Sequence, residues 1–230
     1  MMVNQPIIMG VLNITPDSFS DGGLFLDTMS AVTQAQLMVT EGAGIIDIGG
    51  ESSRPGAPEV SSDDELRRVM PVIEALYGNI DVPISIDTSK PIVMKEAFAA
   101  GASIVNDVNA LRSEGALQMA AELGADVCLM HMQGNPRTMQ ANPTYDNVVQ
   151  DVKEFFHERI AACKSVGIQL SSITIDPGFG FGKNLGHNIA LLKNLSEFHD
   201  FGVSILAGLS RKSMIGVLLG DKDVDSRLIG

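Results

Sequence analysis

Seven short β-branched runs recur along the chain, and helical patterns lie between them. They are "PIIMGVL" (6–12), "GIIDIG" (44–49), "PISIDT" (83–88), "SIVNDV" (103–108), "DVCLMH" (126–131), "SITIDP" (172–177) and "SILAGL" (204–209). A strand followed by a helix every ~30 residues demands crossover connections, and hence a parallel sheet. Two helices can be read directly. "SDDELRRVMPVIEAL" (62–76) opens with Ser62 and has Glu65 three residues on, the pattern of a capping box. "QDVKEFFHERIAACKSVG" (150–167) repeats Val152, Phe155, Phe156 and Ile160 along one face.

An open doubly wound sheet and a closed barrel both satisfy this alternation, and the polar residues separate them. Asp47, Asp87, Asn106, His131 and Asp176 stand at or near the C-terminal ends of different strands. In a barrel those ends converge on one mouth, whereas an open sheet uses only its switch point. The expected fold is therefore an α/β barrel of the (β/α)8 TIM type, as a single domain over residues 1–230. Eight strands close such a barrel and seven are found, so the eighth βα unit is expected to be missing. That would leave the domain C-terminally incomplete, with edges exposed on the first and seventh strands.

Composition narrows the function. The net charge of −12 argues against nucleic acid, whose binders carry basic stripes. The start "MMVNQPIIMG" lacks the basic region and long apolar stretch of a signal peptide, and no run approaches a membrane span. The expectation is a cytoplasmic protein with no membrane partner. Two cysteines, Cys128 and Cys163, make no disulfide framework, and no His/Cys cluster has zinc spacing.

"TIDPGFGFGKN" (174–184) resembles a phosphate cradle but fails its template. Pro177 stands where the first glycine belongs, and Asn184 replaces the hydroxyl. The informative residue is Asp176, a carboxylate closing an apolar strand, which is costly to bury unless donors meet it. The glycines let backbone approach a flat ligand, and Phe179 or Phe181 would cover a ring face. A capping Asp in a Gly-rich turn explains the stretch equally well. "SIDTSKP" (85–91) repeats the theme with Asp87, against the simpler reading of Asp87 or Thr88 as an N-cap ahead of Pro91. With Asn106 these form an acceptor set suited to the N–H edge of an amino-pyrimidinone heterocycle.

Cations stand on the same side of the strands. Arg54 lies in "GGESSRPGAPE" (49–59), and Arg211 and Lys212 lie in "LSRKSMIG" (209–216), ahead of a helix expected near Ser213. Barrels often hold phosphate after late strands at a helix start. The loop "NITPDSFSDGG" (13–23) and the 49–59 loop read as mobile covers. Asn13 offers an oxygen to a hard cation such as Mg²⁺. His131 reads as a core histidine rather than a general base.

Together "GVLNITPDSFSDGG", "GGESSRPG", "SIDTSKP", "NDV", "CLMHMQGNP", "DPGFGFGKN" and "SRKSMIG" resemble the dihydropteroate synthase family, in its order and over essentially the whole chain. The resemblance implies a barrel transferase of folate biosynthesis, inhibited by sulfonamides. It would join 4-aminobenzoate to 6-hydroxymethyl-7,8-dihydropterin diphosphate and release diphosphate. By the same resemblance Asp87, Asn106, Asp176 and Met130 belong to the pterin pocket, and Lys212 contacts pterin and aminobenzoate. Ser53 and Arg54 meet diphosphate and aminobenzoate. Pro55, Phe181 and Ser210 line the aminobenzoate side, and Arg211 adds to the substrate-binding set. Asn13 takes the Mg²⁺ position, and a homodimer is implied. The family's eighth strand carries an Arg-x-His pair beyond the last residue of this sequence. A pterin-dependent methyltransferase is the alternative enzyme, against which "ESSRPG" and "SRKS" argue, because it has no diphosphate to hold. A non-catalytic pterin-binding protein is the other.

Overall fold

The computed structural model describes residues 6–15, 23–52, 56–134, 138–140 and 142–220. Among these residues seven strands and seven α-helices alternate. The strands are β1 (Met9–Asn13), β2 (Ile45–Gly49), β3 (Ile84–Asp87), β4 (Ile104–Asp107), β5 (Asp126–Met130), β6 (Ile173–Asp176) and β7 (Ser204–Ile205). The helices are α1 (Gly23–Thr40), α2 (Ser62–Leu76), α3 (Pro91–Ala99), α4 (Ala116–Glu122), α5 (Val148–Ser165), α6 (Leu185–Lys193) and α7 (Ser213–Leu219). Strand order across the sheet follows the chain, β1 to β7. This is the parallel α/β architecture that the alternation requires. No described helix is long and apolar enough to cross a membrane.

The described residues gather into two compact units. The first holds β1–β4 and α1–α4. Its strands pair in parallel, with Asp47 opposite Ser85, Gly49 opposite Asp87 and Asp87 opposite Asn106. Val69, Val72, Ile73 and Leu76 form one fully buried stripe of α2 at the spacing of a helix face, and Ile46, Ile48 and Ile86 of the strands are fully buried too. The cap of α2 differs from expectation by one residue. Ser61 is the N-cap and accepts the amide of Asp64, whereas Glu65 points inward and is fully buried. Glu65 stands four residues before Val69, so it continues the buried stripe rather than closing a capping box.

The second unit holds β6, β7 and α5–α7, and β5 divides after Val127. Helix α5 buries Val148, Val152, Phe156, Ile160 and Cys163, and Asn147 caps it. Phe156 meets Phe198 edge-on at 6.1 Å between ring centres. Cys128 is buried as well. The last β-branched run shortens to a two-residue strand, paired as Thr174↔Ser204 and Ile175↔Ile205.

Candidate active site

In the first unit, acidic side chains collect at the C-terminal ends of β2–β4. The amide of Asn106 donates to Asp47 Oδ2 at 2.9 Å. Asp47 Oδ1 is buried without a hydrogen bond. Burial raises the Asp47 carboxyl above its ordinary range, against the lowering pull of Ser85, which lies beside it short of hydrogen-bond geometry, and of Asn106. Asp87 keeps partial exposure at its strand end. Its carboxyl is nevertheless held well above the usual range, first by desolvation and then by repulsion from Asp47, Asp107, Glu65 and Glu51.

The capping alternative for Asp87 does not hold. Lys90 is the N-cap of α3, and Thr88 Oγ1 accepts the Lys90 amide at 3.2 Å. Asn13 ends β1 opposite Gly49, and its side chain is exposed. A Cβ on Gly49 would stand 3.4 Å from both Asn13 Oδ1 and Asp87 Oδ2, so the missing side chain leaves these two oxygens their room.

Behind this cluster the Lys90 ammonium bonds to both Glu51 and Glu65, and Ser89 donates to Asp107. Arg68 donates to the Gly50 carbonyl at 2.7 Å. These supports were missed from sequence, although the place of Glu65 in the apolar stripe of α2 marked it as inward.

In the second unit Asp176 ends β6 and is buried. Its Oδ1 accepts the Gly178 amide at 2.7 Å. Burial raises its carboxyl, opposed by Lys212, the Gly178 N–H and Lys183. Lys212 precedes α7, donates to the Phe179 carbonyl and lies 4.6 Å from the centre of the Phe181 ring. Burial lowers its ammonium from the ordinary lysine range, against the attraction of Asp176. The two phenylalanines divide their tasks: Phe179 is fully buried core, and Phe181 is half-buried beneath the cation.

Met130, Met132 and Met139 cluster with Phe181 and Val108. A cleft of about 440 Å³ is lined by Phe181, Lys212, Ser213, Met139, Gln140 and Met214, among others. Ser213, the first residue of α7, was not singled out from sequence. Ser210 and Arg211 are exposed in the turn before α7, with Arg211 at φ 55°, and neither lines the cleft.

His131 is buried, as its reading as a core histidine requires, and its Nδ1 lies 2.9 Å from the Lys183 amino group. Ser53, Arg54 and Pro55 lie outside the described residues, as does most of the 13–23 loop.

The model of the pterin binding enzyme family matches residues 9–230. The chain is 56% identical to the dihydropteroate synthase of Escherichia coli over 217 residues, which cover 94% of this chain and 77% of that one. It is 56% identical to the Haemophilus influenzae dihydropteroate synthase, covering 99% and 82%. Among solved structures, the Yersinia pestis dihydropteroate synthase with a sulfonamide drug complex superposes with a TM-score of 0.92 at 52% identity, covering 98% of this chain and 82% of that one. The Xanthomonas albilineans enzyme in complex with 7,8-dihydropteroate gives 0.88 at 45% identity, covering 100% and 82%. On this footing the chain belongs to the dihydropteroate synthases, within the pterin binding enzyme family.

Proposed function

We propose that the chain condenses 4-aminobenzoate with 6-hydroxymethyl-7,8-dihydropterin diphosphate, giving 7,8-dihydropteroate and diphosphate in folate biosynthesis. The arrangement that best supports this reading is Asp176 beside Lys212 with Phe181 beneath the ammonium: a hydrogen-bond acceptor, a cation and a ring face in one place. Bound 4-aminobenzoic acid in one solved relative and dihydropteroate in another are in keeping with it.

By family resemblance Asp87, Asn106 and Asp176 are assigned to the N–H edge of the pterin, and Met130 to its face. Carboxylate acceptors form charge-assisted bonds worth about 1.5–3 kcal/mol each. They also discriminate strongly against bicycles without the donors. Lys212 positions both substrates, Phe181 packs on the aminobenzoate ring, and Ser210 and Arg211 belong to the substrate-binding set. Ser53, Arg54 and Pro55 are assigned to the diphosphate and aminobenzoate by family resemblance.

The carbon–oxygen bond to diphosphate breaks first and its electron pair leaves with diphosphate. The electron-rich dihydropterin spreads the positive charge on its methylene. The aromatic nitrogen then forms the new bond and releases its proton to solvent. A neutral amine needs no strong base, so rate acceleration rests on positioning and charge stabilisation.

Asn13 suits Mg²⁺, since an exposed amide oxygen can be one protein ligand to an ion that keeps its waters and reaches phosphate oxygens. When bound, Mg²⁺ would neutralise charge on the departing diphosphate.

Calorimetric titration of both substrates, with and without Mg²⁺, beside a product assay tests the reading. Dihydropteroate should form, and aminobenzoate should bind only once diphosphate is present. Tight binding of methyltetrahydrofolate with no dihydropteroate formed would refute it in favour of the methyltransferase.

A further inference from the structure

Lys183 is a buried amine to which the reaction above gives no part. Its side chain is 3% exposed, and its Nζ is ringed by His131 Nδ1 at 2.9 Å, Gly178 O at 3.0 Å, Phe181 O at 3.0 Å and His131 O at 3.2 Å. Taking an amino group out of water is costly, and an apolar side chain of equal volume would fill the space without that cost. What the amine adds is direction, since it binds two separate pieces of backbone at once. One is the residue just past β5. The other is the turn 178–181.

The two pieces press closely together. Gly178 has φ +70°, and a Cβ there would stand 2.0 Å from the His131 carbonyl oxygen. Lys183 donates to the carbonyls of both His131 and Gly178, so one amine bridges the two pieces. A second clamp acts on the same turn, where the Gly180 amide donates to Asn188 Oδ1 at 2.8 Å. The turn fixed in this way carries three contacts of the candidate active site. The Gly178 amide reaches Asp176, the Phe179 carbonyl accepts from Lys212, and the Phe181 ring lies under the Lys212 ammonium.

Resting on the synthase reading, we propose that Lys183 is a positioning residue of the reaction: by tying His131 to the 178–181 turn, it sets where Asp176, Phe181 and Lys212 stand. Lys183 also lines the cleft of about 440 Å³, but its amino group is taken up by these contacts to His131 and the turn. Burial pushes its amino group down to about 7, with Asp176 raising it and Lys212 lowering it. The proposal holds for either protonation state, since a neutral amine still offers two N–H donors and a lone pair for a proton on His131 Nδ1.

The test is steady-state kinetics of the wild-type chain, Lys183→Met and Lys183→Gln with both substrates, normalised to folded protein by near-ultraviolet circular dichroism. Methionine keeps the apolar stem and removes every donor, whereas glutamine restores two. For Lys183→Met, kcat/KM should fall about 10- to 100-fold, the scale of a displacement near 1 Å at the chemistry. Lys183→Gln should recover part of that loss. A variant that melts earlier but keeps wild-type kcat and KM per folded molecule overturns the proposal, as does failure of both variants to fold, since either result makes Lys183 purely structural. Lack of turnover by the wild-type chain would instead count against the synthase reading.

Discussion

Asp87 carries a carboxyl that its surroundings oppose. Desolvation and four neighbouring carboxylates keep its folded-state pKa well above 3.8, so ionisation at neutral pH works against the fold. Asp87→Asn removes that charge with little change of shape. The thermal midpoint of the unliganded protein should therefore rise, while kcat/KM for the pterin falls by about 100-fold or more. A scan of both quantities checks this, and a variant that lost activity together with stability would contradict it. The strand-end position of the acidic groups was legible in the sequence. Asp87 and Asp176 could be placed at strand ends, whereas the choice between Phe179 and Phe181 stayed open until the fold buried the one and half-exposed the other. The supports were not legible. Nothing local in "SKP" shows that Lys90 reaches both Glu51 and Glu65, because those partners lie 39 and 25 residues away in the chain. Nor does anything in the run of glycines before Lys183 show that the folded turn buries it.

Elements were placed well and their ends less so. All seven strands fall inside the runs marked by β-branched residues, or within one residue of them, since period and composition are properties of a whole segment. Helix ends depend on single hydrogen bonds, and the reading of Ser62 as the opening of the α2 capping box is off by one residue. The structure selects Ser61, whose hydroxyl accepts the Asp64 amide at 3.1 Å. Ser61→Ala should accordingly cost about 1 kcal/mol, and Ser62→Ala little, in urea denaturation. The capping box of α6, in which Asn184 accepts the His187 amide at 2.9 Å while His187 Nδ1 accepts the Asn184 amide, was hidden inside a motif read for its glycines. Asn184→Ala should cost a similar amount by the same measurement.

For the molecule as a whole, stability should depend on alkaline pH with a definite sign. Lys183 has its folded pKa lowered from 10.5 to about 7, so the unfolded chain binds more protons between these values. Stability from this group is absent at and below pH 7 and grows as pH rises toward 10.5. Cys163 acts in the opposite sense. Burial raises its thiol from 9.0 to about 11, so it stabilises the fold below pH 9 and loses that contribution above. The urea midpoint should climb from pH 7 to 9 and then level or fall, and Lys183→Met should flatten the climb. A wild-type midpoint that declines steadily from pH 7 would contradict this. The parallel sheet in chain order was legible at this scale, because alternation of strand and helix leaves few other topologies. The length of β7 was overestimated, since apolar residues continue through 209 while register pairs end at Ile205, with one further bond from the Leu206 amide to the Ile175 carbonyl.

The crowd of carboxyls around Asp87 gives the empty protein a built-in handicap. A guest that satisfies those groups relieves the handicap as it docks, so occupancy and durability rise together. In a cell with proteases, the folate precursor would then protect the chain that consumes it, and starvation for the precursor would shorten that chain's lifetime.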